Sequence, residues 1–423
     1  MSDPISNAPQ SVEDLKPLHY DPWLIPLGPL EALSKQIFQS LPQPPITPGR
    51  KPRADAMARR EAALKSIIAN LAAFHLFPAP RSGVAMRLRN SKKTRYDMKS
   101  FHADVLRGCV GGLHEAGLLV LAPGEYKKKR TMIAPSDVLR ERMETADVSL
   151  EHIGRMEGKE TVILRTRRKG NLASEPLDYV DSSKTVSMRR DMETINATLN
   201  SVSLEFDGVR LPPQCLMRIF TQPRGQEAPE FVLHGRLYDG FWQNLPGSLR
   251  YRFTIDGEEI ADLDYKGMFL QLAYTCLGAE MPDGDPYAVP GIVGHRDTIK
   301  RLTNSFFFRD GLATRFPRGV ERLPSPWTME KFIAAISALH PALVPLFGSE
   351  IGFELMFRES ETMVAVLLEL AARGIVACPM HDGLLCRKTH RSVAVAVMEQ
   401  VSLEKLGRTF QVVEKPVLRP SGK

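Results

Sequence analysis

Residues 376–387, with the sequence VACPMHDGLLCR, place the strongest constraint on how this chain folds. Two short apolar runs flank His381-Asp382-Gly383, and this pattern predicts two strands joined by a tight turn. Asp382 would then lie at the tip of a hairpin. Aspartate suits turns, but a carboxylate held at a hairpin tip can also bind a cation, so both interpretations of Asp382 stay open.

A second acidic position lies at the end of another predicted strand. The stretch GEEIADLDYK (257–266) predicts a strand, and MFLQLAYTCLG (268–278) predicts a helix after it. Mg²⁺ prefers oxygen ligands and is commonly held by one or two carboxylates, so Asp264 and Asp382 are candidate ligands of one site. Asp262 lies on the same strand face and is interpreted as structural. An ordinary strand-end role for Asp264 is the alternative.

The stretch HRDTIKRLTNSFFF (295–308) predicts a helix with a basic stripe. Arg296 and Lys300 are four residues apart and share one face, which Asn304 and Phe308 continue. Such a face suits a nucleoside triphosphate, with the cations on the phosphates and the amide and the ring near the base. An Arg and a Lys at this spacing are usually a solvated face, so the interpretation depends on the neighbouring acids.

Charge is distributed unevenly along the chain. The 423 residues carry 56 Lys+Arg and 49 Asp+Glu, a net charge of +7. Residues 50–170 hold 26 Lys+Arg and 13 Asp+Glu, a balance of +13, and the remaining 30 and 36 give −6. A basic segment attached to a mildly acidic remainder favours a polyanion partner for the basic part, and a solvated charged surface is the alternative.

The basic part is predicted to be a winged helix-turn-helix domain over 54–145. Helical apolar spacing begins near residue 54, a second helix ends at Gly117, and the runs LLVLAP and RTMIAP would form the strands of a wing. A helix in the major groove and a wing on the phosphates would bind DNA. A small helical domain that uses the hairpin for protein contacts is the alternative. The basic tip of the wing consists of Lys127, Lys128, Lys129 and Arg130.

The other segments complete the predicted organisation. Residues 1–53 form a Pro-rich arm with one short helix around Leu30–Leu41, 146–205 a basic connecting region, and 206–423 an α+β domain. The five cysteines form no CxxC pair, so neither a zinc site nor a disulfide framework is predicted. Neither a signal-like N-terminus nor an apolar run of bilayer length occurs in the sequence, so a cytoplasmic location without membrane contact is expected.

Four segments, in this order, resemble the family A DNA polymerases. That family has a TGRL…NLQNIP stretch, a DYSxxELR motif A, an Rx₃Kx₃(F/Y) motif B and a VHDE motif C. The ordered set covers roughly residues 215–410 and is also similar to compact, prophage-type polymerase-like proteins and, more distantly, to single-subunit phage-type RNA polymerases. The matching residues are Gly235-Arg236-Leu237 with QNLP (243–246), Asp264-Tyr265 with LQLA (270–273), Arg296-x₃-Lys300, and His381-Asp382.

The resemblance implies a polymerase palm with reduced fingers and a two-metal mechanism. Asp264 and Asp382 would bind two Mg²⁺ ions, with Mn²⁺ as a possible substitute, and the ions would activate a primer 3′-hydroxyl and stabilise the leaving group. Arg296 and Lys300 would hold the nucleoside triphosphate. The remaining nucleotide-binding residues implied are Asn304, Phe308 under the nascent base pair, and Phe269, whose ring would exclude a ribose 2′-hydroxyl and favour dNTPs.

The resemblance also implies a DNA template-primer as the partner, and it identifies no protein partner. Arg236, Gln243 and Asn244 would meet the duplex near its minor groove, where contacts are insensitive to sequence. His381 would approach the primer terminus. The chain departs from the family at Gly383, where motif C has a glutamate, and at Phe269, where motif A has one.

Three functions are therefore open for this chain. The first is a template-directed nucleotidyltransferase of the DNA polymerase type. The second is a catalytically silent, DNA-binding replication initiator or regulator with a polymerase-like domain. The third is a single-subunit RNA polymerase or primase.

Overall fold

The computed structural model describes residues 17–42, 55–78, 80–89, 93–125, 130–168, 170, 172–317, 319–417 and 419. The chain forms two compact units. The first unit comprises Met1–Glu160 and Ser203–Gln214, and the second comprises Thr161–Val202 and Cys215–Lys423. The functional boundaries at residues 54, 146 and 206 remain predictions.

The described residues contain both helices and strands, so the chain is a mixed α+β protein, as predicted. The helices are α1 Gly28–Ser40, α2 Ala56–His75, α3 Ala103–Glu115, α4 Asp137–Thr145, α5 Ser183–Leu199, α6 Met268–Cys276, α7 Arg296–Phe306, α8 Met329–Leu339, α9 Gly352–Ala372 and α10 Arg391–Leu406. The strands are β1 Leu18–His19, β2 Leu24–Pro26, β3 Val84–Met86, β4 Leu119–Ala122, β5 Thr131–Pro135, β6 Ile153–Arg155, β7 Val162–Thr166, β8 Leu204–Phe206, β9 Val209–Arg210, β10 Met217–Gln222, β11 His234–Tyr238, β12 Phe253–Ile255, β13 Glu258–Tyr265, β14 Ala377–Pro379, β15 Gly383–Arg387 and β16 Val412–Lys415.

The first unit is built on the apolar helix α2, whose predicted periodicity is confirmed. Its residues Leu64, Ile67, Ile68 and Leu71 are fully buried. The strands form a sheet in the order β1-β3-β5-β4, in which β4 and β5 are the predicted antiparallel hairpin. The helix α3 ends at Glu115 and passes through a left-handed glycine into β4, because only glycine adopts that backbone readily.

The second unit is organised around β13, which pairs with β15 along one edge and with β12 and β16 along the other. Its residues alternate between the two faces of the sheet. Leu263 and Tyr265 are fully buried, and the Tyr265 hydroxyl donates to the Met398 carbonyl oxygen in α10 at 2.6 Å. The opposite face carries Asp262 and Asp264, so packing of the apolar face fixes where the acids point.

A second sheet in this unit has the order β11-β10-β7. Beside it lies a buried apolar cluster that includes Leu164, Phe220 and Phe231. Gly235 in β11 has a left-handed backbone, and a Cβ there would meet the Ser360 hydroxyl oxygen at 2.6 Å. The strand β11 therefore approaches α9 more closely than a residue with a side chain would allow.

In the part of the chain that the structure describes, no helix has the length and apolar composition needed to cross a membrane.

Candidate active site

The end of β13 and the tip of the β14–β15 hairpin bring Asp264 and Asp382 together. The predicted hairpin is confirmed, and Asp264 lies opposite Gly383 in the antiparallel pairing of β13 with β15. The backbone N–H of Tyr265 donates to the Asp382 carbonyl oxygen at 3.0 Å. The Asp382 carboxyl group influences the pKa of Asp264, as expected for two carboxyl groups on adjoining backbone segments. Two acids that are distant in the sequence thus lie next to each other in the fold.

The electrostatics of this pair disfavour two negative charges. Burial, followed by the neighbouring Asp382 carboxylate, raises the pKa of Asp264 to about 6. The Lys415 ammonium lies 2.7 Å from Asp264 Oδ2 and opposes this shift. The lysine on β16 therefore offsets part of the cost of charge at Asp264.

The pair has the chemistry of a divalent-cation site. Carboxylate oxygens are the ligands that Mg²⁺ and Mn²⁺ prefer, and a cation between them would remove the repulsion that raises the pKa of Asp264. Among the described residues, no group of three or more His, Cys, Asp or Glu side chains is arranged to hold a metal. A pair of carboxylates is a common protein contribution to a Mg²⁺ site at which substrate phosphates supply further ligands.

Gly383 explains why the hairpin carries no second acid after Asp382. A Cβ at Gly383 would lie 2.3 Å from the Leu263 carbonyl oxygen and 2.8 Å from Asp264 Oδ1. The backbones of β13 and β15 are therefore too close here for any side chain. The departure from the motif C pattern has a steric cause in this chain.

A third carboxylate, Glu359, lies near the pair, and the sequence analysis did not identify it as part of the site. Glu359 is 1% exposed, and its two oxygens accept from Arg236 Nε and Nη2, both at 2.7 Å. Burial raises the pKa of Glu359 to about 7, against the effect of Arg236 and with smaller contributions from Asp382 and Asp264. The electrostatic influence of both aspartates places Glu359 in their neighbourhood.

Glu359 and Glu361 both lie well inside a long helix. The helix α9 begins seven residues before Glu359, at Gly352, so both acids lie in its interior. Helical spacing relates Glu359 to the buried residues Met363, Val366 and Leu370. This apolar stripe is the feature of the sequence from which the burial of Glu359 could have been predicted.

Arg236 and Gln243 are both engaged within the protein. Arg236 forms the bidentate pair with Glu359 described above. The Gln243 carboxamide donates to the carbonyl oxygens of Leu237 at 3.1 Å and Pro379 at 3.0 Å, and the indole of Trp242 donates to the same Pro379 oxygen at 2.8 Å. These bonds tie the turn after β11 to the strand that leads into the His381-Asp382 tip. Asn244 lies in the same turn, with its amide 3.5 Å from the Gly240 carbonyl oxygen.

His381 occupies a strained position beside Asp382. Its φ of 98° is in the left-handed region, which a residue with a side chain rarely adopts. The imidazole packs against the Tyr238 ring with centroids 5.3 Å apart, and burial, followed by Arg236, lowers its pKa to about 4. The ring is therefore neutral near pH 7, which suits positioning rather than charge stabilisation.

The predicted basic helix is α7, and the loop before it approaches the acids. The Arg296 guanidinium forms a bidentate ion pair with Asp285, at 2.7 and 2.9 Å, and lies over the Tyr287 ring. Burial raises the pKa of Tyr287 to about 12, with the Asp382 carboxylate among the smaller causes and Arg296 opposing it. Tyr287, which the sequence analysis missed, therefore connects this loop to the aspartate pair. Lys300, on the next turn of α7, is half-buried.

Phe269 and Phe308 belong to one aromatic cluster. Their rings stack with centroids 5.5 Å apart, and Phe308 also meets Phe353 edge to face at 5.3 Å. The helix α7 ends at Phe306, so Phe308 lies beyond the face that it was predicted to continue, whereas Asn304 lies on the helix and is half-buried. Phe308 itself is half-buried, which leaves part of its ring accessible.

The basic wing is only partly within the described residues. Lys127, Lys128 and Lys129 lie outside them. Arg130, at the base of the hairpin, is exposed, and its Nη1 lies 3.4 Å from His19 Nδ1. The first unit therefore presents at least one of the four predicted cations at the start of β5.

Comparison with known proteins gives no family assignment. No family model and no curated protein matches the chain. Among solved structures, the chain is similar to the POL domain of Pol1 from M. smegmatis, which was solved in complex with DNA primer-template and dNTP. The two share 11% sequence identity over 55% of this chain and 50% of that chain, with a TM-score of 0.33. A likeness at this level carries no argument about function.

Proposed function

We propose that the protein is a template-directed nucleotidyltransferase of the DNA polymerase type, acting on a DNA template-primer in the cytoplasm. One observation carries this proposal: Asp264 at the end of a strand and Asp382 at the tip of a hairpin lie on adjoining backbone segments, and the Asp382 carboxyl group influences the pKa of Asp264. Such a pair suits two Mg²⁺ ions, with Mn²⁺ as a substitute. Bound there, the ions would supply Lewis-acid activation of a primer 3′-hydroxyl and neutralise charge on the leaving pyrophosphate.

The cations of α7 would bind the triphosphate. Lys300 is half-buried and Arg296 is more than half exposed, so both remain reachable by an anion. Arg296 would exchange its pairing with Asp285 for a phosphate, since a guanidinium binds either group in the same bidentate geometry. Asn304 and Phe308 would lie near the base, and Phe269, stacked on Phe308, would limit space at the sugar and favour dNTPs.

The neighbouring residues would receive the duplex. Arg236 is fixed by Glu359 and would present its remaining N–H groups to the minor-groove acceptors that all base pairs share. Asn244 and the neutral His381 would lie against the primer strand. The Gln243 carboxamide is already hydrogen-bonded within the protein. It would therefore contribute to duplex binding by holding the turn after β11 in place.

The first unit is proposed to bind DNA as a winged helix. Support comes from the order β3-β5-β4, with α3 leading directly into the hairpin. The exposed residues of α3 include Arg107 as well as Asp104 and Glu115, so their charges largely offset each other and the wing would supply most of the electrostatic attraction. Anisotropy titrations of labelled duplex DNA over a range of salt concentrations test this. A variant with Lys127, Lys128, Lys129 and Arg130 changed to alanine should bind more weakly and with a shallower salt slope than Lys405→Ala, an exchange on α10.

Primer extension on the full chain tests the catalytic proposal. Reactions would contain Mg²⁺ or Mn²⁺ and either dNTPs or NTPs, with the wild type, Asp382→Asn, and Asp283→Asn as an exposed control. We expect dNTP incorporation by the wild type and the control, and none by Asp382→Asn. Incorporation that survives Asp382→Asn would remove this residue from the mechanism.

A specific observation also favours the catalytically silent alternative. Asp264 is paired with Lys415 and Arg296 with Asp285, so two of the four central groups are already neutralised inside the protein. Tight DNA binding without incorporation under any condition above would support a DNA-binding initiator or regulator. Incorporation of NTPs without a primer would instead support the RNA polymerase or primase alternative.

A further inference from the structure

The C-terminal strand β16 delivers a lysine to the aspartate pair. In the antiparallel pairing with β13, Lys415 lies opposite Asp262 and Val413 opposite Asp264. Residues two apart in a strand share a face, so Lys415 lies on the face that carries both aspartates. Asp262 is already paired with Arg250 at 2.6 Å, and the Lys415 ammonium reaches diagonally to Asp264 at 2.7 Å.

The two ion pairs on this face differ in how firmly they are held. The side chains of Asp262 and Arg250 are 7% and 19% exposed, which indicates a fixed structural pair. Lys415 is 48% exposed, whereas its partner Asp264 is 12% exposed. A half-exposed lysine on a flexible stem can leave its partner at little cost, because its ammonium regains water when it moves.

Lys415 also has space into which it can move. It lines a cavity of about 350 Å³ on the outer side of β13 and β16. Two carboxylates line the same cavity, those of Glu259 and Glu414. Glu259 already accepts an ion pair from Lys388, which shows that a lysine on this surface can reach it. Glu259 also pairs with Arg419, and Glu414 with Arg391, so the displaced ammonium would find solvent beside carboxylates that already hold other cations.

We propose that Lys415 is a tethered counter-ion of the catalytic carboxylates, which a divalent cation must displace from Asp264. In the absence of metal the ammonium offsets part of the repulsion between Asp264 and Asp382. Because the ammonium occupies an oxygen that the metal needs, it weakens metal binding. A higher concentration of metal is then needed to fill the site. This inference rests on the proposed function only in taking Asp264 and Asp382 as the metal ligands.

Metal binding itself is the measurement. Free Mn²⁺ would be titrated against the full chain and quantified by its electron paramagnetic resonance signal, with no nucleotide or DNA present. The variants are Lys415→Met, which keeps the length of the side chain without its charge, and Lys415→Arg, which keeps the charge. Lys388→Met removes a charge from the same cavity but not from Asp264. Lys415→Gln is a second neutral variant in case the Met variant fails to fold.

The expected result is that Lys415→Met binds Mn²⁺ about tenfold or more tightly than the wild type, since a unit charge beside the ion is removed at short range. Lys415→Arg and Lys388→Met should bind as the wild type does, and Asp264→Asn should lose the site. Suppose that the wild type binds Mn²⁺, that Asp264→Asn does not, and that Lys415→Met and Lys415→Gln bind it no more tightly than the wild type. The counter-ion proposal is then wrong and the metal site stands. If no variant binds Mn²⁺, both the counter-ion and the metal site are refuted.

Discussion

Asp264→Asn should stabilise the metal-free protein at alkaline pH, although the proposal makes Asp264 essential for activity. In the folded chain the pKa of Asp264 is about 6, compared with 3.8 in the unfolded chain. Its charged form is therefore disfavoured by folding, mainly because of burial and the adjacent Asp382. Asparagine resembles the protonated acid in shape and carries no charge, so it avoids this cost.

The magnitude follows from the shift of about two pKa units, each worth about 1.4 kcal/mol. A group whose folded pKa is raised contributes stability that is fully present below its unfolded pKa and is lost as the pH rises through the folded pKa. At pH 8 the wild type has lost all of this contribution, so Asp264→Asn should gain about 3 kcal/mol in free energy of unfolding. At pH 4.5 most of it is still present, and the gain should be about 1 kcal/mol.

Urea unfolding at pH 4.5 and pH 8 in the presence of a chelator measures both values. Tryptophan fluorescence can follow the second unit, because Trp242 is fully buried there. Asp262→Asn is the matched control on the same strand face, and it should destabilise the protein because it removes the partner of Arg250. Added Mg²⁺ should stabilise the wild type and leave Asp264→Asn unchanged, because only the native wild type binds it.

Two results would refute this reasoning. If Asp264→Asn is less stable than the wild type at pH 8, the charge on Asp264 is not a cost in the folded state. If Asp264→Asn gains the same free energy of unfolding at both pH values, the effect does not arise from the titration of this carboxyl group.

Three further outcomes are expected. Gly383→Ala should lose about 2 kcal/mol or more in free energy of unfolding, because its Cβ meets the neighbouring backbone at 2.3 Å. Arg236→Met should lose about 3–5 kcal/mol at pH 8, because it leaves the Glu359 carboxylate buried without its partner, and less at pH 5.5, where a group with a pKa of about 7 is protonated. Asp285→Asn should release Arg296 and tighten the binding of inorganic triphosphate several-fold, measured by calorimetry.

Each of these outcomes has a control. Gly108→Ala, on an open part of α3 where a Cβ meets nothing, should gain about 0.5–1 kcal/mol, and equal behaviour of the two glycine variants would contradict the steric argument. Combining Arg236→Met with Glu359→Gln should recover much of the loss, and a purely additive result would show that the pair is not coupled. Asp297→Asn, an exposed acid on α7, should leave triphosphate binding unchanged.

The sequence predicted those parts of the site that depend on local patterns. Strand periodicity placed Asp264 at the end of β13, and the apolar runs around Asp382 predicted the hairpin. The spacing of Arg296 and Lys300 predicted α7, but not the point at which it ends. These features follow from the alternation of a strand and the turn of a helix, which are properties of neighbouring residues.

The features that were missed depend on pairings between distant segments. Lys415 reaches Asp264 only because β16 pairs with β13, and no local pattern sets that register. Glu359 lies near the aspartates because Gly235 allows α9 to pack closely on β11. Arg236 was predicted to contact the DNA duplex, and its pairing with Glu359 could not be identified before the start of α9 was known.

The contact between β13 and β15 at Gly383 also limits how this site could change over time. A single substitution cannot place an acid after Asp382 without moving the backbone, since even a methyl group would strike the Leu263 carbonyl oxygen. Any lineage that carries this strand spacing would have to separate the two strands first and would lose the proximity of Asp264 and Asp382 in doing so. A supplementary carboxylate is thus accessible to this fold only from another element, and α9, with Glu359, is the element already placed to provide it.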